Sequence, residues 1–66
     1  MTQPKWINVL ERLPKEGYEH HLKYVYQNGN SGIAVGYYDE DEKGFIIEYS
    51  DDHPMGEDIK YWLEED

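Results

Sequence analysis

Four segments of the chain alternate apolar and polar side chains with a period of two residues, in the order "LKYVYQ", "GIAVGYYD", "GFIIEYS" and "IKYWLEE". This period places successive side chains on opposite faces of a strand, and the β-branched and aromatic residues that dominate the segments favour half-buried sheet surfaces. The pattern therefore predicts a mainly β fold. The predicted shared faces are Leu22, Tyr24 and Tyr26; Ile33, Val35 and Tyr37; Phe45, Ile47 and Tyr49; and Ile59, Tyr61 and Leu63.

Polar connections separate the four predicted strands. "QNGNSG" contains Asn-Gly, which favours a tight hairpin turn because both residues tolerate a positive φ. "DEDEKG" is typical of a longer hairpin loop, and "SDDHPMGED" is expected to be the longest connection. Strands that follow one another through hairpin-length loops usually pair as neighbours. The sequence therefore predicts a single small domain over residues 1–66, with one antiparallel sheet of three to four strands in sequential order, a meander.

The opposite faces of these strands also carry apolar residues, so the sheet needs a cover on each side. The apolar residues of these opposite faces are Val25, Ala34, Tyr38, Ile46 and Trp62, and Gly36 is expected to leave room for an indole. The segment "KWINVLERLP" is predicted to supply a cover, either as a short strand at residues 6–9 or as one helical turn around residues 9–13. Pro14 ends either structure, because proline lacks an amide hydrogen and restricts the residue before it. The segment's apolar residues, predicted to join the core, are Trp6, Ile7, Val9, Leu10 and Leu13.

Charge limits the classes of partner. Fifteen Asp and Glu residues against six Lys and Arg residues give a formal net charge of −9, which repels nucleic acid phosphates and anionic lipids. The sequence therefore predicts no direct binding to nucleic acid. No apolar window is long enough to span a membrane, and the first residues do not resemble a signal peptide, so a cytoplasmic location is expected. Cysteine is absent, which excludes disulfides and thiol chemistry.

The opening segment resembles a known family. Trp6, Ile7, Val9 and the run "ERLP" at residues 11–14 match the opening Trp-Ile-x-Val-x-Glu-Arg-Leu-Pro of domain of unknown function family 551, which is common in phages and prophages. "GYY" at residues 36–38, Phe45 and Trp62 extend the similarity over nearly the whole chain. The end departs from the family pattern, since Tyr61 and Leu63 replace its His and Met, and "EED" replaces its Pro-Leu-Pro. The resemblance implies a phage or prophage origin in bacteria and no assigned activity.

Three clusters contain residue types that occur at metal or catalytic sites. His20 and His21 are adjacent on a predicted strand, so their side chains should diverge rather than share a metal. "DEDEKG" places Lys43 where a calcium loop needs an oxygen ligand. "DDHP" at residues 51–54 places two carboxylates beside a histidine, but it accompanies no nucleophile motif and is interpreted as an exposed loop. No metal, cofactor or catalytic residue is therefore expected.

Two functional hypotheses remain. The first is a non-catalytic structural or protein-interaction module, with a protein partner or further copies of itself, whose candidate partner surface is Trp6, Arg12, Tyr61 and Trp62. Both tryptophans are more readily explained by core packing, and Arg12 by an internal salt bridge. The second is an acidic decoy that mimics DNA and blocks a host DNA-binding protein. Its candidate surface is Asp39, Glu40, Asp41, Glu42, Asp51 and Asp52.

Overall fold

A computed structural model describes residues 5–64, which form a mainly β domain with one antiparallel sheet of five strands. The four predicted strands are confirmed. A fifth strand lies at the N-terminus, so the predicted number of strands was slightly too low. A short 3-10 turn, Gly56–Asp58, precedes the last strand. The strands are β1 Lys5–Asn8, β2 His20–Val25, β3 Ser31–Asp39, β4 Gly44–Ser50 and β5 Ile59–Glu64.

The strand order across the sheet is β1-β5-β2-β3-β4. The meander holds for β2, β3 and β4, but the prediction of fully sequential order was wrong, because β5 lies between β1 and β2. The eight residues between β4 and β5 explain how this is possible. An extended residue spans about 3.3 Å, and neighbouring strands are about 4.8 Å apart, so this connection is long enough to cross two strands. It places Ile59 and Trp62 near the middle of the sheet instead of at its edge.

The β-hairpin between β2 and β3 forms at the predicted Asn-Gly turn. Gly29 adopts a positive φ of 92°, which glycine tolerates without steric cost. Its amide donates a 3.0 Å hydrogen bond to the carbonyl of Tyr26, and the amide of Tyr26 bonds to the carbonyl of Asn30. The turn fixes the register in which Leu22 lies opposite Ala34, and both side chains are buried.

An irregularity in the pairing of β5 with β2 changes which side chains face the core. Tyr24 pairs with Ile59 and Lys23 pairs with Tyr61, so Lys60 is an extra residue on β5. Such a bulge breaks the alternation of a strand. As a result Ile59 and Trp62 are both buried, although strict alternation would place them on opposite faces. The prediction that Ile59 shares a face with Tyr61 was therefore wrong.

A second irregularity lies between β3 and β4. Gly36 pairs with Ile47 and Val35 pairs with Tyr49, which leaves Glu48 as the extra residue. A Cβ at Gly36 would overlap the backbone carbonyl oxygen of Ile46, so glycine is needed here for close approach of the two strands. The interpretation that Gly36 makes room for an indole was wrong, since the space is taken by the backbone of β4.

The core lies on one face of the sheet. A row of paired residues crosses four strands there, from Ile7 through Trp62 and Leu22 to Ala34. On β3 the core face is Ala34, Gly36 and Tyr38, because the hairpin register aligns Ala34 with Leu22. Ile33, Val35 and Tyr37 share the opposite face, as predicted. The buried core residues are Ile7, Leu22, Tyr24, Ala34, Phe45, Ile59 and Trp62, with Val9, Tyr26, Tyr38 and Ile47 packed against them.

The N-terminal segment takes the strand alternative and then turns. β1 pairs with β5 at the edge of the sheet, and the turn that follows is held by Asn8, whose side chain accepts a 2.8 Å hydrogen bond from the amide of Leu10. The prediction that all five apolar residues join the core was only partly right. Ile7 is buried and Val9 packs on the core, whereas Trp6, Leu10 and Leu13 are 39%, 92% and 46% exposed. Alternation along β1 directs Trp6 away from the core face that Ile7 occupies.

Candidate interaction surface

The four residues of the candidate partner surface do not lie together. Trp62 and Arg12 are on the core side of the sheet, where Trp62 is only 3% exposed. Trp6 pairs with Leu63 and Tyr61 pairs with Asn8 on the opposite face. Consequently the predicted surface divides into two parts with different roles.

Arg12 and Trp62 form a structural contact between the N-terminal turn and the sheet. The indole Nε1 donates a 2.9 Å hydrogen bond to the carbonyl oxygen of Arg12, and the guanidinium lies 5.2 Å from the indole ring centre. The same guanidinium forms a 2.6 Å ion pair with Glu64. The internal salt bridge expected for Arg12 and the core position expected for Trp62 are therefore confirmed.

The two adjacent histidines diverge as predicted. The ring of His20 packs edge-on against Trp62 with 5.1 Å between ring centres, and its Nδ1 is 3.1 Å from the carbonyl oxygen of Leu63. His21 pairs with Val35 on the opposite face. Within residues 5–64, no three His, Asp or Glu side chains are arranged so that they could hold a metal ion.

The acidic residues of the candidate decoy surface lie at opposite ends of the β3–β4 hairpin. Asp39 pairs with Gly44 at one end, and Ser50, which precedes Asp51 and Asp52, pairs with Ala34 at the other. Five residues of strand separate the two ends, which corresponds to about 17 Å. These acids therefore do not form one continuous row.

Each acidic group also has a local structural role. The carboxylate of Asp39 accepts hydrogen bonds from the amides of Asp41 and Glu42, at 2.9 and 3.3 Å, and so stabilises its own loop. At the other end, burial and a hydrogen bond with Asp52 raise the pKa of Tyr26 to about 12. "DDHP" is a connection in which the Asp52 carboxylate accepts a 2.9 Å hydrogen bond from the amide of His53 and bonds Tyr26.

Two further carboxylates meet near the edge strand. A hydrogen bond with Glu19 raises the pKa of the Glu48 carboxyl above its usual range, with loss of hydration as a smaller cause. Glu48 is the extra residue of the β4 bulge, and this insertion brings it towards the residue that precedes β2. The period-two pattern gave no sign of this pair, because a bulge is not visible in alternation alone.

The face opposite the core is apolar and open. One row of side chains crosses all five strands. Trp6 on β1 pairs with Leu63 on β5, and His21 on the next strand, β2, continues the row. His21 pairs with Val35 on β3, which pairs with Tyr49 on β4. The apolar and aromatic residues of this open face are Trp6, Val25, Ile33, Val35, Tyr37, Ile46, Tyr49, Tyr61 and Leu63. None of them is buried, and Tyr49 and Ile33 are 68% and 45% exposed.

The open face also carries charged side chains. Lys23 is its central cation, and its ammonium lies 5.9 Å from the ring centre of Tyr61. Asp39 lies at the end of β3, whereas the Glu19–Glu48 pair joins the residue before β2 to the bulge of β4 and therefore spans β3, the strand between them. The sequence predicts that both sheet faces are apolar and that each needs a cover, with "KWINVLERLP" supplying one of them. In the described part of the chain, the segments between strands cover only the core face.

A groove of about 560 Å³ lies on the core side, between the turn after β1 and the 3-10 turn. Tyr38, Phe45 and Ile59 are among the residues that line it, and the exposed Leu10 stands beside them. Glu57 and Lys60 at its rim have opposite charges, so the groove has no clear preference for a charged partner.

Neither a family model, a curated protein nor a solved structure matches this chain. The resemblance of the opening segment to domain of unknown function family 551 therefore stays a prediction. None of the helical structure within residues 5–64 has the length and apolar character needed to cross a membrane. Among the described residues, the open face brings the exposed Trp6, Ile33 and Tyr49 onto one side of the sheet.

Proposed function

We propose that this chain is a non-catalytic protein-interaction module and that its docking surface is the open face of the sheet. The observation that carries the proposal is the uncovered row from Trp6 to Tyr49, which runs across all five strands. Contiguous exposed apolar patches of this kind usually mark interaction sites. The aromatic residues Trp6, Tyr37, Tyr49 and Tyr61 are of the types that are enriched at protein interfaces.

The shape of this face supports binding over catalysis. Enzyme sites are usually concave, with a few polar groups converging in a pocket. Here the residues are spread over a sheet surface, and their polar members, Asn8, His21 and Lys23, stand on neighbouring strands. An acidic DNA mimic has less support, because a mimic needs carboxylates in one array and the two acidic loops are separated by the length of the β3–β4 hairpin.

The resemblance to the phage family adds a proposed origin. The residues of the opening motif have structural roles: Ile7 and Pro14 are buried, and the carbonyl of Arg12 holds the indole of Trp62. The motif is therefore explained as a signature of the fold rather than of a reaction. We accordingly propose a phage or prophage origin and action in the cytoplasm of the bacterial host.

Site-specific photo-crosslinking in bacterial lysate tests this function. p-Benzoylphenylalanine in place of Tyr49 reports on the open face, and the same probe in place of Leu10 reports on the core side as a matched control. We expect adducts with protein from the Tyr49 position that are lost when Ile33→Lys is added. Adducts that form equally from both positions would contradict the proposal. A basic nucleic-acid-binding protein captured only by a probe in place of Asp41, and no longer captured when salt is added before irradiation, would support the decoy instead.

A further inference from the structure

A cavity of about 320 Å³ lies on the core side of the sheet, where the turn after β1 meets the start of β2 and the end of β5. Its lining residues include Arg12, Lys15, His20 and Glu64. The groove of about 560 Å³ has equal numbers of lysine and glutamate residues in its walls, and a cavity of about 900 Å³ beside the β2–β3 turn has two carboxylates and one lysine. With two cations and one carboxylate among its described lining residues, the smaller cavity is a locally positive site in a chain whose formal net charge is −9.

The guanidinium of Arg12 keeps donors for a further acceptor. It lies 5.2 Å from the ring centre of Trp62, and one of its terminal nitrogens bonds the carboxylate of Glu64 at 2.6 Å. A guanidinium has several N–H donors in a rigid fork, and within residues 5–64 the bond to Glu64 is the only side-chain hydrogen bond that Arg12 donates. Because this side chain is 49% exposed, its remaining donors are accessible to a ligand in the cavity.

Lys15 supplies the second cation of the same cavity. Its ammonium lies 5.1 Å from the ring centre of Tyr18, and no carboxylate within residues 5–64 forms an ion pair with it. The adjacent acid, Glu16, is engaged elsewhere, since its carboxylate accepts a 2.7 Å hydrogen bond from the amide of Glu40. Lys15 therefore keeps its positive charge available to an anion.

The remaining walls of the cavity are largely apolar. Leu13 and Tyr18 both line it, and they are 46% and 56% exposed. His20 forms another wall, and its ring is held by edge-on packing against Trp62 and by the 3.1 Å contact of its Nδ1 with the carbonyl oxygen of Leu63. A ligand that matches these walls has an apolar body next to its negative charge.

We propose that this cavity binds a small aromatic carboxylate, either as a free acid or as the C-terminal residue of a peptide. The carboxylate lies between Arg12 and Lys15, and the aromatic ring lies against Leu13 and Tyr18. The planar fork of a guanidinium matches the geometry of a carboxylate. The size is suitable, since small-molecule sites begin at about 300 Å³.

The net charge of the chain favours a ligand with a single negative charge. A formal charge of −9 repels a phosphate or a polyanion more strongly than a carboxylate, because the repulsion grows with the charge of the ligand. The cavity lies on the opposite side of the sheet from the open face. The ligand site and the proposed interaction function therefore do not depend on one another.

Nuclear magnetic resonance titration of the isotope-labelled full chain tests the site, because the two indole N–H signals report on opposite faces. Trp62 bonds the carbonyl of Arg12 beside the cavity, whereas Trp6 lies on the open face. N-acetylphenylalanine is the probe, and N-acetylphenylalaninamide, which lacks the negative charge, is the matched control at equal sodium concentration. We expect the acid to shift the Trp62 signal and not that of Trp6, with a dissociation constant on the order of 1 mM. The amide should bind at least about tenfold more weakly.

Substitutions assign the binding to the two cations. Arg12→Gln keeps the carbonyl that holds Trp62 and should weaken binding about five- to tenfold. Lys15→Gln changes an exposed side chain and should weaken binding about two- to fivefold. Lys23→Gln makes the same change of charge on the open face and should alter the dissociation constant less than about twofold. The Trp62 indole signal, retained in each variant, establishes that the variant is folded.

Phenylacetate distinguishes the two sources of the carboxylate. If it binds as tightly as N-acetylphenylalanine, the site takes free aromatic acids; if it binds more weakly, the site takes the C-terminus of a peptide. The site would be overturned by a Trp62 signal that does not shift at about 20 mM acid, by equal affinities for the acid and the amide, or by an affinity that neither Arg12→Gln nor Lys15→Gln lowers. Crosslinking from Tyr49 is independent of these results, so their failure leaves the interaction function standing.

Discussion

The indole nitrogen of Trp62 and the carbonyl oxygen of Arg12 are joined by a 2.9 Å hydrogen bond between residues that are 50 positions apart in the chain. This bond connects the last strand to the turn after the first strand. It satisfies the only polar atom of a buried indole and fixes where residues 9–14 cross the core face. The charged end of Arg12 stacks on the same ring but remains half exposed, so the backbone and the side chain of Arg12 contribute separately.

Substitutions should separate these two contributions. Trp62→Phe removes the hydrogen bond and part of the buried ring, and we expect a loss of about 2–3 kcal/mol in the free energy of unfolding. Arg12→Ala keeps the carbonyl acceptor and removes only an exposed ion pair and the stacking, so it should cost about 1 kcal/mol or less. Urea denaturation of the two variants checks the order. An Arg12→Ala loss as large as that of Trp62→Phe would show that the charge, not the indole, holds the turn.

Trp6 should contribute little to the stability of the folded monomer. Because it is 39% exposed and lies opposite Leu63 on the open face, Trp6→Ala should cost about 1 kcal/mol, compared with about 3–5 kcal/mol for a buried tryptophan. Fluorescence quenching at low protein concentration provides a direct measurement. The wild type should show a quencher-accessible component that Trp6→Phe lacks, while the remaining Trp62 emission is blue-shifted and protected. Emission from Trp6 that resists quenching in the dilute monomer would contradict this assignment.

The sequence predicted the strands well because their alternation and turn chemistry are local properties. The Asn-Gly turn and the four strand segments follow from short stretches of residues. The faces could not be predicted equally well, because the extra residues Lys60 and Glu48 shift the alternation of β5 and β4. A bulge depends on pairing with another strand, so the sequence of one strand does not reveal it.

The interaction surface was harder to predict for a related reason. Trp6, Arg12, Tyr61 and Trp62 share residue types typical of interfaces, but strand alternation places Trp6 and Tyr61 on the open face and Trp62 on the core face, where the turn after β1 brings Arg12. The placement of β5 between β1 and β2 also has no local signal, since it depends on a long-range pairing of the two terminal strands. The sequence shows that both faces of the sheet are apolar, but it does not show which face the connecting segments cover.

Gly36 should be among the least replaceable residues of the sheet. A Cβ there would overlap the carbonyl oxygen of Ile46, and the backbone of β4 cannot move away without disrupting the bulge. We expect Gly36→Ala to cost about 3 kcal/mol, at the upper end of overpacking effects. Gly44→Ala is a suitable control, because the nearest atom to its added Cβ is the carbonyl oxygen of Glu42 at 3.9 Å, and its effect should be within about 1 kcal/mol. Equal thermal melts for the two variants would refute the close approach.

Tyr26 should remain protonated at alkaline pH. Its pKa of about 12, raised by burial and then by Asp52, exceeds the ordinary value of about 10. The folded state therefore holds this proton more tightly than the unfolded state, so the contribution to stability is present below about pH 10 and is lost as the pH rises through about 12. Absorbance at 295 nm should show one late-titrating tyrosine that disappears in Tyr26→Phe. Asp52→Asn should move that titration to lower pH, and an unchanged titration would exclude Asp52 as a cause.

The Glu19–Glu48 pair should make mild acid stabilising. The pKa of Glu48 is raised in the folded chain, so the folded state takes up a proton more readily than the unfolded state. Its contribution to stability is then present at acidic pH and is lost as the pH rises through the raised value. At a pH above this raised pKa the two side chains repel, and Glu48→Gln should raise the melting temperature because an amide can donate a hydrogen bond to Glu19. This gain should shrink as the pH is lowered towards 4, where the wild-type carboxyl carries its own proton.

A double-mutant cycle separates this pair from the general effect of removing one negative charge. Glu48→Gln should stabilise the wild type more than it stabilises a Glu19→Gln background, where one carboxylate is already neutral. Glu42→Gln, in the exposed loop between β3 and β4, serves as the charge control and should give a smaller gain. If Glu48→Gln and Glu42→Gln raise the melting temperature equally at pH 7, and Glu19→Gln does not alter the effect of Glu48→Gln, the repulsion is diffuse and the pair has no special role. A coupling that is present at pH 7 and vanishes near pH 4 would locate the repulsion at the β4 bulge.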